Sequence, residues 1–227
     1  MKLVSFGPPG EERPGVLIDS ERILDLELVS KGRIKTITGL LKMGGDGLEQ
    51  VSDWLANPPD TSAEVNLEGV RLGPPVTNPS KIVGVGLNYH SHTGEQNVKV
   101  PKKPLLFSKS VTCLSGNGDP ILYPEEDENV DYEAELAVVI GKPSFRIDPE
   151  KWEEHVAGYT IVNDVSGRDA QFGDRKWFRG KSYDTFCPMG PWIVTKNEIP
   201  NPHNLNLKAV LNDEVRQDSN TKHLIFD

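Results

Sequence analysis

The sequence has only two cysteines, Cys113 and Cys187. Two exclude a disulfide framework and a cysteine-built zinc cluster. They are suited instead to burial as small residues in a reducing compartment. Basic residues are also in deficit: 25 Lys and Arg face 34 Asp and Glu, a net charge of −9. That balance argues against nucleic acid as a partner. No apolar run approaches the ~18–20 residues that cross a bilayer. The N-terminus offers only the short apolar run LVSF, where a signal peptide needs ~7–15 apolar residues. These absences predict a soluble, cytoplasmic protein with no membrane partner. Turn chemistry, by contrast, is plentiful: 18 prolines and 21 glycines favour short strands over long helices. At 227 residues the chain can bury a core, as one large domain or two unequal ones.

Residues 1–73 read as a small separate unit. LVSF, GVLID and RILDL are strand candidates with Pro-Gly and Asp-Ser turns between them. Residues 37–41 and 48–55 are short helix candidates on either side of Gly44-Gly45. RLGPPVTNPS (71–80) has the composition of a linker. KIVGVG (81–86) is expected as a buried-type strand. Its G-x-G lacks the third glycine of a dinucleotide fingerprint, since Tyr89 stands there. Glycines that allow a tight turn or a close approach remain the expectation.

The richest stretch is 130–141, VDYEAELAVVIG. A period of two places Tyr132, Ala134, Leu136, Val138 and Ile140 on one face of a strand. Glu133 and Glu135 then share the other face, about 6–7 Å apart. An E-x-E of this kind is usually a solvated edge. Where the rest of its face is apolar, as with Ala137 and Val139, a positive neutraliser is needed. An all-oxygen site suits Mg²⁺ or Mn²⁺, with Ca²⁺ the other oxygen-preferring cation. Upstream, LNYHSHTGE puts His90 and His92 on one face if extended, or makes His92 and Glu95 i,i+3 neighbours if helical. A carboxylate beside a histidine raises its basicity, as a general base requires. QNVKVPKKP (96–104) reads as an exposed loop, or as a lysine-bearing lid that attracts an anion. Glu125, Glu126, Asp127, Glu128 and Asp131 read as a solvated acidic loop. Asp164 ends the alternating strand YTIVNDV. Arg168, Asp169 and Gln171 follow it, then Lys181, and a hairpin is expected around Asn212-Asp213.

GLNYHSHTGE, DYEAELAVVIGK, GYTIVNDVSGRDAQ and GKSYDTFCPMGPW occur in this order. The series resembles the fumarylacetoacetate hydrolase family, above all its short members acting on acylpyruvates, oxaloacetate and sugar-derived diketo acids. The resemblance covers residues 74–227 well and 1–73 in position and size only. It implies an α+β, mostly β fold: a mixed β-roll in residues 74–227 behind a small N-terminal α+β domain in 1–73. It implies metal carboxylates at Glu133, Glu135 and Asp164, and a water-activating pair at His92 and Glu95. Substrate contacts fall on Gln171 and Lys181, with Arg168 on the same loop. A homodimer is usual in the family. Leu87 stands where many acylpyruvate-cleaving relatives carry arginine. The sequence stops before the family's T-G-T-P segment, which implies an incomplete roll with exposed apolar surface.

The expected activity is metal-dependent cleavage of a carbon–carbon bond in a 2,4-dioxo acid. His92, oriented by Glu95, would take a proton from the attacking water, and Lys181 would help stabilise the enolate that leaves. The alternative on the same site is decarboxylation of oxaloacetate, tautomerisation or isomerisation of a 2-oxo acid. Two rivals remain: a zinc amidohydrolase using His90 and His92, and a non-catalytic relative that only binds a 2-oxo acid or dimerises.

Overall fold

Short apolar runs, many of them closed by glycine, proline or an Asx turn, make strands the main element of this chain. The computed structural model describes residues 1–59, 61–90 and 99–227. The N-terminal hairpin pairs β1 (Lys2–Phe6) with β2 (Arg13–Leu17) and then β3 (Arg22–Asp25). Its second turn is an Asx turn: Asp19 Oδ1 accepts from the Glu21 and Arg22 amides at 2.9 Å. Helices α1 (Leu26–Val29), α2 (Ile37–Lys42) and α3 (Gly45–Ala56) follow. Thr36 caps α2 by accepting from the Gly39 amide, and Gly44, at φ 69°, makes the corner before α3. The expected helices at 37–41 and 48–55 therefore form, the second starting three residues early.

The main sheet then crosses residue 73. β4 (Glu64–Asn66) pairs with β3, and β5 (Leu72–Gly73) with β1. Strand β1 lies between β2 and β13 (Cys187–Thr195), and the sheet continues through β11 (Val156–Asn163) to β10 (Ala134–Ile140). These pairings are antiparallel; β8 (Leu114–Ser115) joins β13 in parallel, so the sheet is mixed. One core draws on both halves of the chain: Leu3, Val16 and Leu40 pack in the same cluster as Val162, Phe186 and Ile193. Residues 1–73 thus share their sheet and the larger core cluster with the rest; a second, smaller cluster of Val4, Phe6, Ile23 and Leu72 lies within them and meets Trp192. The stretch at 71–80 is not an exposed linker either. Leu72 is in the sheet, residues 72–76 are buried, and Arg71 pairs with Glu12 and Asp119. Proline rings are apolar, so a proline-rich segment can pack as readily as it can link.

Three small ribbons surround the sheet. β6 (Ile82–Gly86) pairs with β7 (Leu105–Lys109), β9 (Val130–Asp131) with β12 (Ser166–Gly167), and β14 (Asn206–Leu211) with β15 (Glu214–Asn220). The last is the expected hairpin, turning through Asn212 and Asp213 at φ 50° and 65°. β6 is not buried as expected, because Val83 and Val85 point to solvent in this two-stranded ribbon. Helices α4 (Trp152–His155) and α5 (Arg168–Gly173) complete the regular structure used below. Both cysteines are free and buried. Among the described residues no helix is long and apolar enough to cross a membrane.

Candidate active site

The expected strand 130–141 is broken at the residue that matters most. Residues 130–131 leave to pair with β12, and β10 begins only at Ala134. Glu133 bridges the gap: its amide donates to the Asn163 side-chain oxygen at 3.0 Å, and its carbonyl accepts from the Asp164 amide at 2.8 Å. These two bonds put Glu133 beside Asp164, which stands just beyond the end of β11. Glu135, Ala137 and Val139 follow on one face by the strand period, with Ala137 and Val139 packed on the core. The opposite face, with Val138 and Ile140, is exposed.

Glu133, Glu135, Asp164, Arg168, Gln171 and Lys181 all line one open cavity of about 1360 Å³. Lys181 is 2 % exposed, and its Nζ donates to Glu133 Oε2 and Asp164 Oδ2, both at 2.7 Å. Arg168 and Gln171 occupy one face of α5 at i,i+3, and the guanidinium donates to the Gln171 amide oxygen at 2.8 Å. The same guanidinium pairs with Glu133 Oε1 at 2.7 Å and Asp131 Oδ2 at 2.6 Å. Helix α5 is itself held by Asp127, which is fully buried and accepts from the Ala170 amide at 2.9 Å. Asp127 is therefore no solvated loop acid, and Asp131 is a partner of Arg168. The acidic run looked exposed because composition alone does not distinguish a capping carboxylate from a solvated one.

Electrostatics bind this group together. Burial would raise the Asp164 pKa, but Lys109 and Lys181 pull it below the ordinary aspartate range. Glu135 goes the other way. Burial first, then the charges of Glu133 and Asp164, push it up to about 8. Burial and the Glu135 charge likewise push the neighbouring Tyr89 phenol up to about 12. Three acidic side chains thus share a site with the cations of Lys109, Lys181 and Arg168. The donor set, all oxygen and anionic, fits a hard divalent cation in chemistry. As placed, Glu133 and Asp164 are turned toward Lys181. Among the described residues no three acidic, histidine or cysteine groups close into a metal cluster.

Lys109 was not expected here. It ends β7, is 5 % exposed, and its Nζ meets Asp164 Oδ1 at 2.6 Å. A lysine ending the strand candidate LLFSK was the available signal, since a lysine at the end of a largely apolar strand must find water or an anion. The G-x-G of β6 also acquires a role. A Cβ on Gly84 would lie 2.2 Å from Phe107 Cζ, and one on Gly86 2.3 Å from Trp177 Cζ3. The glycines let these two rings, packed edge-to-face at 5.4 Å, come close against the strand. Phe107 in turn sits 5.2 Å from the Lys181 ammonium. His92 and Glu95 lie outside the described residues, as do residues 96–98 of the expected lid. His90 is exposed; His155 bonds Ser144 Oγ at 2.9 Å, and His203 packs edge-on against Trp152.

The profile described as "Fumarylacetoacetate (FAA) hydrolase C-terminal" matches residues 81–227, well over half of the chain. The chain belongs to the fumarylacetoacetate hydrolase family. Its mostly β architecture, with a large and mainly antiparallel sheet, is shared with solved structures of that family. An "Oxaloacetate tautomerase fahd2, mitochondrial" from Xenopus laevis is 40% identical over 231 residues, covering 100% of this chain and 72% of that protein. Maleylpyruvate hydrolase from Sphingobium sp. SYK-6, solved with manganese(II) and pyruvate, is 31% identical with a TM-score of 0.79, covering 100% of this chain and 79% of that one. A 5-carboxymethyl-2-hydroxymuconate delta-isomerase structure from Mycobacterium smegmatis is 32% identical with a TM-score of 0.76, covering 100% and 78%. Membership of the fumarylacetoacetate hydrolase family places this chain in a family of enzymes. Its relatives include a tautomerase, a hydrolase and an isomerase.

Proposed function

We propose that this protein is a metal-dependent enzyme that interconverts the keto and enol forms of an anionic 2-oxo acid of the oxaloacetate type. The observation that carries the reading is the buried Lys181 ammonium, set between Glu133 and Asp164 on the cavity wall with Arg168 alongside. Enolisation needs a donor for the oxygen that gains negative charge, and an ammonium withdrawn from water serves that need well. Arg168 and Gln171 would face the substrate carboxylate: the Gln171 amide NH₂ carries two donors for it, and Arg168, whose fork is bonded to Asp131, Glu133 and the Gln171 oxygen, orients that amide and adds positive charge. Glu133, Glu135 and Asp164 would hold Mg²⁺ or Mn²⁺, with Ca²⁺ a weaker substitute for this chemistry. A cation bound there would supply Lewis-acid polarisation of the keto group. Similarity to the named oxaloacetate tautomerase over all of this chain supports the reaction class.

A second reading is hydrolysis of a carbon–carbon bond in a 2,4-dioxo acid, with His92 and Glu95 activating the water. Similarity to the maleylpyruvate hydrolase favours it. Residues 74–227 hold every residue named in either reading. We also propose a homodimer, supported by the exposed apolar Val138, Ile140 and Ile161 on neighbouring strands β10 and β11. The two free cysteines suit a reducing compartment, which we take to be cytoplasmic.

One set of assays separates the readings. The ultraviolet decay of enol-oxaloacetate and the cleavage of an acylpyruvate are followed with the same preparation, after EDTA and after Mg²⁺ or Mn²⁺ is restored. Both activities should vanish with EDTA and return with metal. His92→Ala should lose hydrolysis by ~10²–10⁴ and keep most tautomerisation, while His90→Ala stays mild. An enol decay no faster than in buffer would reject the tautomerase reading.

A further inference from the structure

Lys109 and Lys181 grip the same carboxylate with unequal second partners. Lys109 Nζ donates to Asp164 Oδ1 at 2.6 Å and to the Val165 carbonyl at 3.2 Å. Lys181 Nζ donates to Asp164 Oδ2 and Glu133 Oε2, each at 2.7 Å. Lys109 is thus tied to the backbone just beyond β11 and approaches from the end of a strand. Among the described residues, Lys181 is tied only to carboxylates, both of which line the cavity. A divalent cation drawn to those carboxylates would compete for both of these partners of Lys181 and would repel its charge. It would leave the bond from Lys109 to the Val165 carbonyl. Lys181 also has somewhere to go: its ammonium already lies 5.2 Å from the centre of the Phe107 ring, whose face attracts cations.

Resting on the metal role proposed above for Glu133, Glu135 and Asp164, we infer a division of labour between the two lysines. Lys109 is a positioning residue that fixes Asp164 by one oxygen and by the peptide that follows it. Lys181 is the exchangeable cation of the site. It holds Glu133 and Asp164 together until a divalent cation takes their oxygens, and is then freed toward the cavity and the substrate. No bond is made or broken in this exchange beyond hydrogen bonds and metal coordination.

The two lysines predict opposite effects on metal affinity. Removing Lys181 removes a competitor, so Lys181→Met should bind Mn²⁺ roughly tenfold more tightly in calorimetry, within the usual range of site-to-site coupling. Removing Lys109 also removes a positive charge, yet it frees the Asp164 carboxylate to move. Lys109→Met should therefore bind Mn²⁺ roughly 10–100-fold more weakly, the usual effect of losing a group that orients a ligand. Lys109→Arg should recover part of that loss. Circular dichroism of the metal-free variants checks that each is folded. If Lys109→Met does not fold, the wild-type protein decides. Reductive methylation by formaldehyde, mapped by mass spectrometry, should label Lys181 more readily with Mg²⁺ than without, and Lys109 equally in both. No Mn²⁺ uptake by wild type would reject the metal reading and this inference with it. Uptake by wild type, with both variants shifted in the same direction, would reject the division of labour alone. So would labelling in which Mg²⁺ leaves Lys181 unchanged.

Discussion

Gly86 carries no side chain because Trp177 occupies the place one would take. Gly84 stands in the same relation to Phe107, and the two rings then form a wall of the cavity that holds Lys181. Gly86→Ala should push the indole into the cavity. Forcing one methyl into a packed contact costs about 1–3 kcal/mol, and the displaced ring should raise KM for the oxo acid. Urea unfolding and saturation kinetics measure the two effects. A variant as stable as the parent, with the same KM, would show that the ring can slide aside freely. The pair of glycines was legible in the sequence as a place of close approach, but what approaches was not. Lys109 was hidden for a related reason. Lysine is ordinarily a solvent residue, and only its partner Asp164, supplied from another strand, makes its burial intelligible.

At the scale of the element, α5 shows how a loop acid becomes structural. The helix has six residues, Arg168–Gly173, too few to be stable alone. Asp127 accepts from the Ala170 amide and lies against Gly167, where a Cβ would meet its Oδ2 at 2.4 Å. Asp127→Ala should leave buried donors without partners and destabilise the fold by about 2 kcal/mol. It should also loosen Arg168 and Gln171, so KM should rise more than kcat falls. Thermal melts together with KM and kcat test this, and unchanged KM in a destabilised variant would detach the cap from the site. The split of the expected strand at Glu133 is another effect of the element's surroundings. Periodicity marked 130–141 as one strand, yet Asn163 and Asp164 capture both backbone groups of Glu133 and end the pairing there.

Across the whole molecule the continuous sheet sets the behaviour. β1 lies hydrogen-bonded to β13, and Leu3 and Ile193 share one core. Residues 74–227 expressed alone should therefore lose cooperative melting. A sharp transition for that fragment in calorimetry would show that it folds without β1–β3. Arg71 reinforces the join through Glu12 and Asp119. Its hydrogen bonds hold the Asp119 carboxyl below the usual aspartate value. A carboxyl with a depressed folded pKa stabilises the protein above its unfolded value, about 3.9, and that stability is lost as pH falls through the folded value. Arg71→Met should thus cost about 1 kcal/mol near neutrality, reduced by solvent screening of a partly exposed pair. The gap from the parent should narrow below about pH 4. A gap that stays constant down to pH 2.5 would assign the loss to packing instead.

The sequence by itself determined what depends on a few neighbouring residues. The Asn212-Asp213 turn tolerates positive φ, so its hairpin was readable. So were the helices on either side of Gly44, and the spacing that brings Arg168 and Gln171 to one helix face. The motifs carrying Glu133, Glu135, Asp164 and Lys181 were readable as a family pattern, and all four side chains do line one cavity. The tertiary structure alone decided which charges meet. Lys109 and Asp164 are 55 residues apart in sequence, and Arg71 and Asp119 are 48 apart. It also decided that 71–80 would pack rather than link, and that the main sheet would run through residue 73. The physical reason is that turn geometry and periodicity are local properties of the backbone. Strand pairing and charge neutralisation depend on segments that meet only when the core closes.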